Sequence, residues 1–151
     1  MLRERVNEAL KAAMKSKEQR AVATLRLIQA ALKDRDIAAR SKGNTEGIDE
    51  DEILQMLHKM VAQRRDSIEM YEKGGRDDLA AQEKAEIDII QTFLPAQMND
   101  AEIAAAVEAA IAETGAGGIK DMGKVMASLR ARHPGAMDFG KASAKVKALL
   151  A

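Results

Sequence analysis

Arg64 sits where a core residue belongs. Between Ile53 and Tyr71, apolar residues recur at helical spacing as Ile53, Leu57, Met60, Val61, Ile68 and Tyr71. At about 100° per residue, Arg64 falls inside that stripe. The next run has the complementary anomaly: Leu79, Ile87, Ile90 and Leu94 define an apolar face that also carries Glu83 and Glu86. A charge seldom enters a core without an opposite charge beside it. Two chemistries are open to such a cluster. A pair of carboxylates in apolar surroundings can have one pKa raised and serve as a general acid. Alternatively, Arg64 holds one or both glutamates and orders the packing of two adjacent helices. The second reading is preferred, because no cofactor motif accompanies the cluster. Arg26 and Arg76 are candidates to join the same network.

Other chemistries find little support. Histidine occurs only as His58 and His133, in different helices, and there is no cysteine, so no zinc-type spacing exists and no metal or other cofactor is expected. Ser67 has no histidine partner in its own helix and no Gly-x-Ser-x-Gly elbow surrounds it. Gly115-Ala116-Gly117-Gly118 is glycine-rich like a phosphate loop. It lacks a preceding strand and a Gly-Lys-Ser/Thr ending, so it reads as a helix stop.

The strongest binding signal is charge. Residues 1–40 carry ten Lys/Arg against five Asp/Glu, residues 41–119 seven against seventeen, and residues 120–151 seven against two. The net charge of zero therefore hides basic stretches at both ends. In the last stretch, Lys124 points away from an apolar stripe, with Arg130 and Arg132 at the edges of that stripe. Gly123 and Ala127 keep the face around Lys124 low. Lys141 and Lys145 share one outer side of the final helix and Lys147 takes the other. Exposed N–H groups at the helix starts would add to phosphate binding. No aromatic platform accompanies these residues, so the expected mode is backbone contact with folded RNA rather than base stacking. Arg3, Arg5, Lys11, Lys15, Lys17 and Arg20 form a second basic set, interspersed with Glu4, Glu8 and Glu18 and read as the solvent side of a bundle.

These residues need helices to position them, and the composition supplies helix formers. Apolar residues are 46% and charged residues 32%, and the only aromatics are Tyr71, Phe93 and Phe139. Clusters of strand-forming residues are missing. Seven helices are predicted. The first covers Leu2 to Met14. A Ser16/Gln19 capping pattern opens the second, Lys17 to Arg40, with Val22, Leu25, Ile28, Gln29 and Leu32 facing inward. A polar loop from Ser41 to Gly47 is expected to be mobile. Asp49 with Glu52 opens the third helix, Glu50 to Glu72, and Gly74-Gly75 ends it. The fourth runs from Asp77 to Phe93, and Leu94-Pro95 marks a boundary. Asn99 with Glu102 opens the fifth, Asp121 caps the sixth, and Asp138 caps the seventh after Pro134-Gly135. The expectation is an all-α chain with a four-helix domain over residues 1–95 and a three-helix domain over residues 96–151. The smaller part has a size at which a lone core is marginal.

Several motifs in this order resemble the YqeY family, the GatB/YqeY-type proteins. They are Leu25-Arg26-Leu27-Ile28, Gln63-Arg64-Arg65-Asp66-Ser67-Ile68, Gly75-Arg76-Asp77-Asp78-Leu79, Glu83 with Glu86-Ile87, Phe93-Leu94-Pro95, and Asp121-Met122-Gly123-Lys124-Val125-Met126. The resemblance implies an all-helical fold and kinship with the tail of the GatB subunit of a glutamine-dependent amidotransferase, a carbon–nitrogen ligase acting on mischarged tRNA. In that enzyme the tail is a tRNA-contacting appendage, and the catalytic chemistry lies in other domains. The resemblance therefore implies an accessory protein, not catalytic alone, with tRNA, an amidotransferase or a tRNA-processing protein as partner. A module that binds only protein, through the helix bearing Met122 and Met126, is the alternative. The polar start, Met-Leu-Arg-Glu-Arg, and the lack of an apolar run near the roughly 20 residues that span a bilayer predict a cytoplasmic protein without membrane contact.

Overall fold

The computed structural model describes residues 1–151 and is built from helices, with no strand. The chain divides into two compact units, Met1–Leu94 and Pro95–Ala151. No helix is long and apolar enough to cross a membrane.

The first unit holds α1 (Leu2–Ser16), α2 (Gln19–Arg40), α3 (Glu50–Lys73) and α4 (Asp77–Gln91). Its core gathers the inward residues of each helix: Leu2 and Val6, Leu25, Ile28 and Leu32, Ile53, Met56 and Leu57, then Ile87, Ile90 and Phe93. α3 packs chiefly on α4, and α2 on α1 and α4. Asp49 accepts from the Glu52 amide at 2.9 Å and so opens α3.

The junction between α1 and α2 differs from the expected capping box. Ser16 Oγ donates back to the Ala12 carbonyl at 3.1 Å, inside α1. Lys17 adopts φ 60°, and its backbone closes onto Ala13 and Met14. The serine therefore completes the first helix, and α2 opens at Glu18 without a side-chain cap. The Ser41–Gly47 segment ends on an anchor at Ile48. Asp36 accepts from the Ile48 amide at 2.9 Å and from Arg3 Nη1 at 2.6 Å, and Arg3 Nη2 donates to the Ile48 carbonyl at 3.1 Å. Ile48 is buried beneath this clasp. Gly47 has φ 96°, and a Cβ there would lie 2.9 Å from both Arg3 Nη2 and Asp36 Oδ1.

The second unit holds α5 (Asp100–Thr114), a 3-10 turn (Ile119–Asp121), α6 (Met122–Arg132) and α7 (Phe139–Leu150). Asn99 and Glu102 form a reciprocal capping box at α5, and Gly115 ends that helix with φ 66°. Ile103, Val107, Val125, Met126, Leu129, Ala142 and Val146 meet in the core. Met137, from the segment before α7, joins them at 1% exposure. That segment is held by hydrogen bonds from the Met98 amide to the Ala136 carbonyl and from Gln97 Nε2 to the Gly135 carbonyl, both 2.9 Å.

Candidate functional site

α3 brings Arg64 inward opposite α4. Arg64 Nε donates to Glu86 Oε2 at 2.9 Å, and Nη1 donates to the Met60 carbonyl one turn back at 3.2 Å. Glu83 stands farther off, 3.9 Å from Nε. The three side chains are 13%, 14% and 22% exposed for Arg64, Glu86 and Glu83. One guanidinium therefore serves two carboxylates. Burial raises the Glu83 pKa above the usual carboxylate range, the neighbouring Glu86 charge raises it further, and Arg64 works against both. The arginine is bonded to the facing helix and to its own, an arrangement that locks α3 against α4.

Arg26 and Arg76 lie outside this cluster, contrary to the sequence expectation. Arg26 is exposed on α2. Arg76, at the turn before α4, pairs with Asp78 at 3.2 Å. Helical spacing sets Arg26 on the side of α2 away from Leu25 and Ile28, and Arg76 is taken by a local carboxylate.

The six basic candidates of the second unit fall into two groups. Lys124 on α6 and Lys145 and Lys147 on α7 are exposed and have no ion-pair partner. The others are engaged. Arg132 pairs with Glu113. Lys141 reaches Asp100 at 3.2 Å. Arg130 lies over the Phe139 ring, 5.6 Å from its centroid. The acidic helix α5 thus neutralises part of the basic charge that the sequence places on α6 and α7. Lys120, in the 3-10 turn, is exposed and unpaired too. It lies four residues before Lys124.

The two helix starts differ from each other. Asp138 Oδ1 accepts from the Gly140 and Lys141 amides at 3.0 and 3.2 Å, so a carboxylate already occupies the opening of α7. Asp121 makes no cap on α6. Its Oδ2 turns back to accept from the Gly117 amide at 3.0 Å, bracing the glycine-rich segment. The methionine face proposed as a protein-docking surface is turned inward: Met126 is 6% exposed, and Met122 packs against the core. In the first unit, Arg3 is committed to the Asp36 clasp, and Arg5 lies 5.6 Å over the Phe93 ring and donates to the Thr92 carbonyl at 3.0 Å. Lys11, Lys15, Lys17 and Arg20 are exposed.

The family model described as Yqey-like protein matches residues 3–150. The chain belongs to the Yqey-like family. Among curated proteins, it is similar to Altered inheritance of mitochondria protein 41, mitochondrial, from Eremothecium gossypii, with 35% identity over 91 residues, covering 60% of this chain and 48% of that protein. The namesake from Saccharomyces cerevisiae is 35% identical over 85 residues, 56% of this chain and 44% of that protein. That from Lachancea thermotolerans is also 35% identical over 85 residues, with 56% and 43% covered. This Yqey-like chain spans less than half the length of the curated relatives it matches. Their names correct one expectation. The relatives are named as mitochondrial, and the cytoplasmic placement read from composition and the polar start is withdrawn. A folded helical domain has the same composition in any aqueous compartment, so composition does not report the compartment.

Proposed function

We propose that this Yqey-like protein is an accessory module that binds folded RNA, with tRNA as the expected ligand, through the lysines of its second unit. It would serve an amidotransferase or another tRNA-processing protein and leave bond-making to that partner. The observation that carries the reading is the set Lys120, Lys124, Lys145 and Lys147, exposed and without carboxylate partners, while Arg132 and Lys141 are neutralised. Free ammonium groups are what phosphate contact requires, and each contact releases counterions. The resemblance to the GatB tail supports the choice of tRNA. The arrangement of Arg64 with Glu86 supports an architectural use of the inward charges. The reading is tested by gel-shift titration with total tRNA at low and at near-physiological salt. A shift at low salt that weakens steeply at the higher salt agrees with it. Absence of any shift at low salt contradicts it and favours a module that binds only protein.

A further inference from the structure

α2 carries large apolar residues on two opposite sides. Its inward line, Thr24, Leu25, Ile28 and Leu32, is buried in the first unit. The opposite line carries Gln19, Ala23, Leu27, Ala30, Asp34 and Ile37, all within about 40° of one another's mean direction at helical periodicity. Every one of these residues is exposed, and Leu27 and Ile37 leave 47% and 51% of their surface to solvent. Leu27 and Ile37 are thus large apolar side chains that the first unit leaves uncovered.

The borders of this line state what fits it. Arg26, Lys33 and Arg40 follow one another at seven-residue spacing along one edge, and Arg20 stands at the other. All four are exposed, and none makes an ion pair. Asp34 is the only carboxylate on the line. A second copy packed antiparallel on this face would set Arg26 of one chain against Lys33 of the other, a like-charge contact. A lipid surface would need large apolar and aromatic side chains, whereas Ala23 and Ala30 supply little depth. Alanines at that spacing instead allow a second helix to come close, with Leu27 and Ile37 as flanking knobs. We infer that the outer face of α2 docks an amphipathic helix of another protein, one with an apolar seam edged by Asp or Glu. This surface is independent of the lysines assigned to RNA.

The test uses the full chain and a fluorescent synthetic helix with a Leu/Ala seam edged by glutamates, alongside a twin edged by lysines, followed by anisotropy. The glutamate-edged helix should bind in preference to its twin. Leu27→Lys with Ile37→Lys should weaken it about tenfold or more, the loss expected on removing central anchors, with an unchanged circular-dichroism melting curve. Arg26→Glu with Lys33→Glu should reverse the preference between the twins. Equal binding of the two helices, or indifference to either pair of substitutions, would overturn the inference. So would anionic phosphatidylglycerol vesicles or self-association, measured by sedimentation, claiming the same residues instead.

Discussion

At Arg64 the chain places one positive charge between two negative ones, and the two glutamates are not equivalent. Glu86 holds the 2.9 Å bond, and Glu83 stands at 3.9 Å with its pKa raised by burial and by Glu86. Glu86→Gln should therefore lower stability in urea unfolding by about 1–3 kcal/mol, the range for a partly buried charged hydrogen bond. Glu83→Gln removes a carboxylate whose ionisation the fold opposes, so it should cost less than Glu86→Gln or stabilise. If Glu83→Gln proves the more harmful, the assignment of the partner is wrong. The pH dependence has two opposing parts. Asp36 is held below the usual carboxylate range by its bond to Arg3, against some burial and with help from the Ile48 amide. Its contribution is present above the unfolded carboxylate value and is lost as pH falls through the depressed folded value. Glu83 has the reverse sign: its burial penalises the fold at neutral pH, and the penalty fades as pH falls through the raised value. Asp36→Asn should flatten the acid limb of a melting-temperature profile, and Glu83→Gln should steepen it. The inward position of Arg64 was legible because a charge on an apolar stripe demands a partner. The choice of Glu86 over Glu83 depends on side-chain reach across the helix pair, which periodicity does not encode.

The helices themselves were legible where local chemistry has one outcome. Asn99 and Glu102 satisfy each other's backbone, so their spacing alone marks the start of α5. Asn99→Ala should cost about 1 kcal/mol in chemical denaturation, and a change below a few tenths would show that the cap is dispensable. The Ser16/Gln19 pattern was ambiguous because a serine hydroxyl can cap the next helix or bond back into its own, and here it bonds to Ala12. Asp121 turned from cap to brace because Gly117 offers a free amide four residues earlier. The Ser41–Gly47 segment hid its anchor for another reason: Arg3 and Asp36 come from two other helices, a tertiary clasp with no local signature. Gly47→Ala tests it. Its positive φ and the close approach of Arg3 and Asp36 should make the substitution cost about 1–2 kcal/mol or more. A neutral outcome would mean the clasp yields without loss.

Across the whole molecule, charge sorts by helix rather than cancelling uniformly. The basic stretch from residue 120 onward divides, because α5 supplies Glu113 and Asp100 to Arg132 and Lys141, and Phe139 takes Arg130. Which cations stay free depends on which helix lies alongside, and a linear charge count does not contain that. The same distinction gives the most direct test of RNA binding. The measurement is tRNA affinity as a function of salt for three proteins: the natural chain, a Lys124→Gln/Lys145→Gln/Lys147→Gln variant, and an Arg132→Gln/Lys141→Gln variant, all checked for an unchanged melting curve. With each phosphate contact adding roughly 0.7–0.9 to the slope of log affinity against log salt, the triple variant should bind more weakly with a slope shallower by about 2. The double variant should stay close to the natural chain, because its residues are already paired. Equal slopes for all three proteins, or a greater loss in the double variant, would contradict the account.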